Sequence, residues 1–453
     1  MNVDYVNIKA IKATNLRVDA SYHLSEGQEV KRLIDSCPYN MLTIKDVTSD
    51  IFIGNRAKRV YVTKRENGIP FLSSSDILQA DLENVKLASR KYTPAIEQMT
   101  LQKGWTLISR SGTIGNCAFA NAKHAQKLAS EDVIRTCPNN ILRQGVIYAY
   151  LASKYGHSLL TQGTFGAVIQ HIEPSFVGSL PIPHFPESFQ KEVDDLIQES
   201  ARLREEATDA LDDAHRLFMK SISIDKSEKR TNRVSIQTIL HSHNCRFEGS
   251  YFTSRNRNIY NAIIGGMNYR PLGEMTDRIF RPGIFKRDYV KNGVKFLGGA
   301  DILMAIPDSY KQLSFKQVQR MPELKVKRGW ILATCGGTIG NTVFIDSQLE
   351  KCVISQHVMR IVPKADVLNG YLYAVLSSDY GHQLFNLYSS GSVIPQIEAH
   401  HIERIPIPMI EKSKMELIES LICQYVSKIE KSKEKEISAI SMVESEIEKW
   451  NKN

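Results

Sequence analysis

Two long stretches of the chain carry apolar residues at the spacing of a helix that packs along another helix. The first runs from Glu187 to about Lys220 and contains neither Gly nor Pro. Its apolar or small residues recur every three or four positions, at Val193, Leu196, Ser200, Leu203, Ala207, Ala210, Ala214 and Leu217. This heptad spacing predicts a helix with an apolar seam.

The second stretch follows Pro408, and its apolar spacing is similar although less regular. Its apolar positions are Ile418, Ile422, Tyr425, Ile429, Ile437, Ile440, Val443, Ile447 and Trp450. At 1.5 Å per residue, each helix would span ~50 Å. We expect the two helices to pair within the chain. The alternative, an isolated surface helix on each domain, would not need so long a seam.

Elsewhere, short apolar runs typical of strands alternate with turn residues. Val60-Tyr61-Val62, Trp105-Thr106-Leu107-Ile108 and Val358-Met359-Arg360-Ile361-Val362 predict strands, whereas the ranges 146–160 and 371–387 predict helices. The predicted fold class is therefore α+β.

The sequence repeats itself at an offset of 225 residues. Gly104-Trp105 recurs as Gly329-Trp330, and Gly112-Thr113-Ile114-Gly115-Asn116 recurs as Gly337-Thr338-Ile339-Gly340-Asn341. Further pairs keep the same order: Phe71-Leu72 with Phe296-Leu297, Tyr155-Gly156-His157 with Tyr380-Gly381-His382, Val168-Ile169 with Val393-Ile394, and Pro181-Ile182-Pro183 with Pro406-Ile407-Pro408. So many matches in one order indicate a tandem duplication.

Near the start of each copy the offset is 228, so that Lys58-Arg59 matches Lys286-Arg287. A three-residue indel beside Asn67-Gly68 and Asn292-Gly293 accounts for the change, and this dipeptide predicts a hairpin turn. We expect four segments: domains at 1–185 and 226–410, each followed by a long helix, at 186–225 and 411–453.

Composition is that of an ordinary globular protein. Hydrophobic residues make up 42% and charged residues 24%, with a mean hydropathy of −0.26. No apolar run approaches the ~18 residues of a membrane span, and the N-terminus shows no secretory signal. The seven cysteines are scattered and form no CxxC pair. A cytoplasmic protein without disulfides or a zinc ribbon is expected.

The net charge of +9 is unevenly distributed along the 453 residues. Residues 186–225 hold 5 Lys/Arg against 11 Asp/Glu, and residues 411–453 hold 8 against 9. The remaining two stretches therefore carry +16. Because cations on a surface attract phosphates, nucleic acid is a natural partner; a mildly basic surface with no specific role is the alternative.

The glycine-rich segments at 111–115 and 336–340 suggest phosphate binding but lack the Lys of an NTPase loop and the strand–GxGxxG–helix context. A tight turn between strands is the simpler interpretation, although its amides could still meet a DNA phosphate. The candidate DNA contacts are Lys58, Arg59, Arg110, Ser111, Thr113, Lys286, Arg287, Thr338 and Asn341, with His124, Arg135 and Arg360 as further basic candidates. Solvated surface charge is the alternative for the lysines and arginines.

Motifs of catalysis are missing from the sequence. It has no Pro-Pro dipeptide, and hence no Asp/Asn-Pro-Pro-Tyr/Phe motif of amino-methyltransferases; GxSxG, HExxH and the Walker A lysine are also absent. His241-x-His243 and His400-His401 have no Cys, Asp or Glu at metal spacing. We therefore expect a binding protein rather than an enzyme, with no metal and no cofactor.

These motifs together resemble the specificity (S) subunit of type I restriction–modification systems. The resemblance lies in the two Gly-Trp…Gly-Thr-Ile-Gly-Asn segments and in the runs 355–360, 391–397 and 405–408, with weaker versions at 130–135, 167–172 and 180–183. The regions 1–32 and 233–260 are only weakly alike.

The resemblance implies two target-recognition domains related by a pseudo-twofold axis and joined by two antiparallel, coiled-coil-like helices. Each domain would read one half of a bipartite site on double-stranded DNA, and the helices would set the spacer. It also implies two methyltransferase subunits and restriction/translocase subunits as partners, which would hold S-adenosylmethionine, ATP and Mg. The candidate docking residues on the helices are Val193, Leu196, Leu203, Leu217, Ile418, Ile422, Ile429 and Ile440.

Three other functions stay open from the sequence. A specificity subunit of another methylation-linked system, such as a type IIB enzyme, would share this fold. A protein-only helical scaffold would leave the +16 unexplained. A methyltransferase–nuclease fusion is disfavoured by the missing motifs.

Overall fold

The computed structural model describes residue 8 and residues 26–56, 58–162, 171–222, 234–240, 247, 251–252, 255–309, 311–391 and 395–450. The chain divides into two compact units. Unit 1 comprises residues 1–205 and 431–453, and unit 2 comprises residues 206–430. Each unit mixes helices and sheets, as the sequence pattern predicts, and each includes part of both long helices.

The repeat is visible in the order of the elements. The first copy contains strands β1–β10, at Met41–Thr43, Thr48–Ile53, Tyr61–Val62, Gly68–Leu72, Leu87–Ser89, Thr106–Ser109, Cys117–Phe119, Leu128–Ala129, Val133–Pro138 and Pro181–Pro183. Its helices α1–α5 are Glu26–Asp35, Ile96–Met99, Gln144–Ala152, Lys154–Gln162 and Pro174–Ser179. The first long helix, α6, is Glu187–Ser221.

The second copy contains strands β11–β19, at Tyr269–Pro271, Thr276–Phe280, Tyr289–Leu297, Gln312–Leu313, Ile331–Thr334, Thr342–Phe344, Val353–Ile354, Val358–Pro363 and Pro406–Pro408. Its helices α7–α12 are Ile236–Leu240, Arg255–Gly266, Phe315–Arg320, Asn369–Ser377, Asp379–Tyr388 and Ala399–Ile402. The second long helix, α13, is Lys412–Lys449.

The two copies share most of their sheet topology, although the second sheet has four strands in unit 1 and three in unit 2. A four-stranded antiparallel sheet has the order β2-β9-β6-β7 in unit 1 and β12-β18-β15-β16 in unit 2. A second sheet has a parallel pair, β4 with β8 and β13 with β17. A two-stranded antiparallel pair, β1–β10 or β11–β19, contains each Pro-Ile-Pro strand just before the corresponding long helix.

Each unit packs its own core against its part of the long helices. In unit 1, Val193 and Ile197 of α6 and Val443 of α13 are buried with the β6 and β9 side chains. In unit 2, Phe218 of α6 and Ile422 of α13 are buried in the corresponding cluster. The apolar seam predicted from the sequence is thus covered by the unit itself as well as by the neighbouring helix.

Contacts within unit 1 give the direction of its two helix segments. The Phe185 and Trp450 rings lie 6.3 Å apart, and Ser200 Oγ donates to Ser432 O at 2.9 Å. Since residue numbers rise on α6 as they fall on α13, these segments are antiparallel. In unit 2, Lys428 Nζ contacts Glu206 Oε2 at 2.5 Å.

The two helices predicted from apolar runs are each broken into two. Ser153 and Ser378 adopt extended backbone, separating α3 from α4 and α10 from α11. The repeated Tyr-Gly-His motif explains the close turn that follows. A Cβ on Gly156 would lie 2.1 Å from Tyr150 O, and one on Gly381 would lie 2.2 Å from Leu376 O. Only glycine allows this approach.

The hairpin turn predicted at the Asn-Gly dipeptides is wrong. Gly68 begins β4 after a 3₁₀ turn at Arg65–Asn67, and β4 pairs with β5 rather than with β3. Asn292-Gly293 lies inside β13. Its register against β14 shifts between Tyr289 and Val294, and a Cβ on Gly293 would lie 2.2 Å from Leu313 O. Close contact between strands, rather than turn geometry, requires this glycine.

Candidate nucleic-acid interface

The glycine-rich segments are tight turns between antiparallel strands, as predicted. One joins β6 to β7 and the other joins β15 to β16. Gly112, Gly115, Gly337 and Gly340 all have positive φ, between 74° and 84°. This left-handed conformation explains the repeated glycines.

The two glycines of each turn have different surroundings. A Cβ on Gly340 would lie 2.6 Å from Phe385 Cβ, so this glycine lets the turn pack on α11. A Cβ on Gly115 would lie 3.1 Å from Thr161 Cγ2, a less severe contact. A Cβ on Gly112 or Gly337 would meet nothing within 4 Å. The outer half of each turn is therefore open, and a phosphate could approach its backbone there.

A short loop before β9 or β18 hydrogen-bonds to the residue just before the glycine turn, and it also contacts Arg59 or Arg287. In unit 1, Arg110 N donates to Asp132 O at 2.9 Å, and Ser130 N donates to Leu72 O at 2.9 Å. In unit 2, Cys335 N donates to His357 O and Ser355 N to Leu297 O, at 3.4 and 2.9 Å. We call residues 130–132 and 355–357 the junction loops.

In unit 1 the junction loop holds a predicted DNA contact. The Arg59 guanidinium forms an ion pair with Glu131, whose other oxygen lies 3.6 Å from Arg56 Nε. The guanidinium lies 4.6 Å from the centre of the Phe71 ring, and its Nε is buried without a partner. Arg59 is thus half-buried and neutralised within the unit.

In unit 2 the equivalent arginine meets a neutral partner. Arg287 Nη2 donates to Gln356 Oε1 at 3.3 Å. Its guanidinium lies 5.6 Å from the Phe296 ring and 5.9 Å from the Phe285 ring. Arg287 Nε is also buried without a partner. Within the described part of the chain, Arg287 forms no ion pair.

The neighbouring lysines and tyrosines face outward. Lys58 and Lys286 are exposed, and neither forms an ion pair among the described residues. Tyr61 and Tyr289, which occupy matching positions in the repeat, are 45% and 48% exposed. These tyrosines and the junction-loop partners Glu131 and Gln356 were missed by the sequence reasoning. The signal for the latter pair was available, because a glutamate aligns with a glutamine.

The remaining candidates from the turns differ in accessibility. Thr113 and Thr338 are exposed, whereas Ser111 and Asn341 are half-buried. Arg110 is directed inward: its Nε donates to Ile172 O at 3.1 Å and its Nη2 to Glu173 Oε1 at 2.6 Å. The guanidinium of Arg110 is therefore already occupied, and a DNA contact from it stays a prediction.

Three further basic candidates are wrong, because their side chains are buried. Arg135 and Arg360 are fully buried, and their guanidinium groups donate to backbone carbonyls. Burial lowers the pKa of each to about 10. His124 is also buried, and burial lowers its pKa to about 4. Strands β9 and β18 are covered on both faces, so that alternation cannot reveal an inward arginine.

The predicted docking residues on the long helices also need correction. Val193, Leu203, Ile418 and Ile422 are buried within the units, and the interpretation of these side chains as contacts for a partner is wrong. Their apolar seam closes the core instead. The other four residues are half-buried: Leu196, Leu217, Ile429 and Ile440.

Some predictions concern residues outside the described part of the chain. They include Val168-Ile169, Val393-Ile394, His241 and His243. Within the described ranges, no group of three His, Cys, Asp or Glu side chains could hold a metal ion. Likewise, no described helix has the length and apolarity needed to cross a membrane.

Comparison with known proteins agrees with the family resemblance. Residues 266–439 match the type I restriction modification DNA specificity domain. No curated protein matches the chain. Solved structures that resemble it include the type I restriction–modification S subunit from M. genitalium, with 13% identity, a TM-score of 0.34 and coverage of 91% of this chain and 96% of that one.

A second similar structure is the HsdS subunit from Thermoanaerobacter tengcongensis. It has 12% identity and a TM-score of 0.29, and the match covers 91% of this chain and 97% of that one. Superpositions this loose add no support. The family match lies in unit 2 and the adjoining part of α13, and the internal repeat relates unit 1 to the same domain.

Proposed function

We propose, from the match of residues 266–439 to the type I restriction modification DNA specificity domain, that the chain selects the DNA site for a methyltransferase complex. Each unit reads one half of a bipartite site. The long helices set the spacer between the halves and dock two methyltransferase subunits, to which restriction/translocase subunits are added.

The observation that carries this proposal is the repeated arrangement of an open glycine turn, a junction loop and an aromatic-backed arginine. Gly112 and Gly337 leave the turn backbone open in both units. Arg59 and Arg287 lie beside the matching rings of Phe71 and Phe296. Backbone amides, arginines and exposed lysines are the groups that position a protein on DNA phosphates. The +16 outside the helical segments supports the same partner.

The acidic face of α6 is the proposed docking surface for methyltransferase subunits. Its buried seam leaves Asp195, Asp209, Asp212 and Asp213 exposed on the opposite side. A surface of this charge disfavours DNA and suits a basic protein partner. The catalytic cofactors, S-adenosylmethionine, ATP and Mg, belong to the partner subunits in this proposal, and the complex works in the cytoplasm.

Methylome sequencing of the host strain, with and without this gene, tests the proposed function. We expect one bipartite motif to lose methylation when the gene is deleted and to regain it on complementation. Replacement of residues 240–405 by the matching domain of a relative should then change only one half of the motif. A methylome that does not respond to deletion would exclude the proposed function. A swap that rewrote both halves would exclude independent reading.

A further inference from the structure

We propose that the two units bind the DNA backbone unequally, and that the difference is set by one residue in each junction loop. Arg287 of unit 2 contacts a DNA phosphate, whereas Glu131 retains the equivalent Arg59 of unit 1 in an internal ion pair. This inference rests on the proposed DNA-binding function and assigns a phosphate contact within it.

The backbones of the two copies match at the junction loops. Both junction loops begin with a serine whose N–H donates to the leucine carbonyl of the neighbouring strand at 2.9 Å. Both precede the strand that carries the buried arginine, Arg135 or Arg360. Both arginines of interest lie beside an equivalent phenylalanine, Phe71 or Phe296. The structural setting is the same, so a difference in side chain acts directly on the arginine.

The charge of the junction loop differs by two units between the copies. Glu131 and Asp132 of unit 1 are replaced by Gln356 and His357 in unit 2. Glu131 is 12% exposed at its side chain and contacts two arginines. An ion pair this sheltered from water holds Arg59 more strongly than a surface pair would.

Arg287 is oriented to bind an anion, but no anionic side chain pairs with it among the described residues of unit 2. A glutamine oxygen at 3.3 Å orients the guanidinium without cancelling its charge. Two phenylalanine rings lie within 6 Å of its central carbon and restrict its rotation. A pre-oriented, charged guanidinium matches the bidentate geometry of phosphate. The exposed Lys286 next to it adds to the positive field.

The junction-loop residues provide a reciprocal test, because each copy supplies the control for the other. Gln356→Glu should give unit 2 the ion pair of unit 1, and Glu131→Gln should release Arg59. The affinity of the full-length chain, in the complex that methylates DNA, is measured for a duplex containing its site over a range of salt concentrations. Thermal unfolding of each variant checks that it is folded.

Gln356→Glu is expected to remove one phosphate contact, which makes the negative slope of log K against log salt shallower by about 0.9. If the variant and the wild type bind equally at 1 M salt, this change in slope makes the variant bind roughly eightfold more weakly than the wild type at 0.1 M salt. Glu131→Gln should steepen the slope by a similar amount. In an Arg287→Gln background, Gln356→Glu should have little further effect, because the arginine through which it acts is gone.

Each result decides a separate point. Unchanged slopes in folded variants would overturn the inference while the proposed function stands. An equal effect of Gln356→Glu with and without Arg287 would overturn the assignment to this arginine. A changed methylation motif with an unchanged slope would mean that Arg287 reads a base instead of a phosphate. If the wild-type complex did not bind the duplex, the proposed function itself would fail. Should Gln356→Glu not fold, the Glu131→Gln variant still tests the inference through the gain in slope.

Discussion

Replacement of Arg360 by Met should destabilise unit 2 and leave unit 1 intact. The Arg360 guanidinium is fully buried and donates to Ser355 O at 2.8 Å, to Val358 O at 2.6 Å and to Ile354 O at 2.5 Å. These bonds close the junction loop on β18. The methionine variant fills a similar volume but leaves the three carbonyls without this donor.

The magnitude follows from two opposing effects. Three charged hydrogen bonds at about 2 kcal/mol each, net of desolvation, contribute roughly 6 kcal/mol. The buried methionine side chain recovers about 3 kcal/mol of this through hydrophobic burial. We therefore expect Arg360→Met to lower the free energy of unfolding of unit 2 by about 3 kcal/mol. Arg360→Lys should lose most of the same amount, because one ammonium group cannot span the carbonyls that the planar fork reaches.

Hydrogen exchange in mild urea is the appropriate assay, because a chain of two units need not unfold in one step. Amides of β15 and β18 should lose protection in Arg360→Met, while those of β6 and β9 keep theirs. Arg135→Met is the matched control and should show the reverse pattern. Protection that falls by less than about 1 kcal/mol, or equally in both units, would refute the reasoning.

Three further changes test other parts of the structure. Burial lowers the pKa of His124 to about 4, so the unfolded chain binds more protons than the folded one between pH 6.5 and 4. The free energy of unfolding should therefore fall by roughly 3 kcal/mol as the pH falls through this window. Urea titrations of His124→Asn should lack this pH dependence. Gly381→Ala should lower the melting temperature far more than Gly337→Ala, because the new Cβ at 381 would lie against a backbone carbonyl. Gly337→Ala would cost only the strain of positive φ, about 1 kcal/mol. Equal shifts in melting temperature would contradict this. Glu436→Gln should cost about 3 kcal/mol in thermal unfolding, because Glu436 is buried and accepts from Arg204 and Tyr148; an unchanged melting temperature would contradict that role.

The repeat allowed much of the fold to be predicted from one sequence. Residues identical in both copies mark positions where the backbone conformation restricts the side chain, as at the paired glycines of the turns, which have positive φ. The long helices follow from their heptads because apolar periodicity is imposed by burial. The break at Ser153 was not predicted, since two polar residues, Ser153 and Lys154, are compatible with a continuous helix while the backbone in fact becomes extended there. The glycine at 156, which permits the close approach, was the available signal.

The candidate site was predicted less well, and the buried arginines show why. Arg135 and Arg360 carry the charge expected of DNA contacts, yet both are directed inward. A sequence states that a cation is present but not which carbonyls surround it, because those carbonyls come from residues up to 36 positions away, such as Leu324 for Arg360. Only the assembled sheet shows that these arginines bind carbonyls of the junction loops and are not available to bind DNA.

Positions that differ between the copies on a shared backbone are therefore the most informative about function. The duplicated strands, turns and buried arginines are alike, so selection for folding does not explain why Glu131 stands where Gln356 does. The long helices show the same divergence: Tyr148 of unit 1 donates to the buried Glu436, whereas the equivalent Tyr373 stacks on Tyr425 at 6.1 Å. One unit closes its helix contact with a hydrogen-bonded charge and the other with aromatic packing. Each copy thus keeps the fold while the contacts of individual side chains change, as the proposed reading of two different half-sites requires.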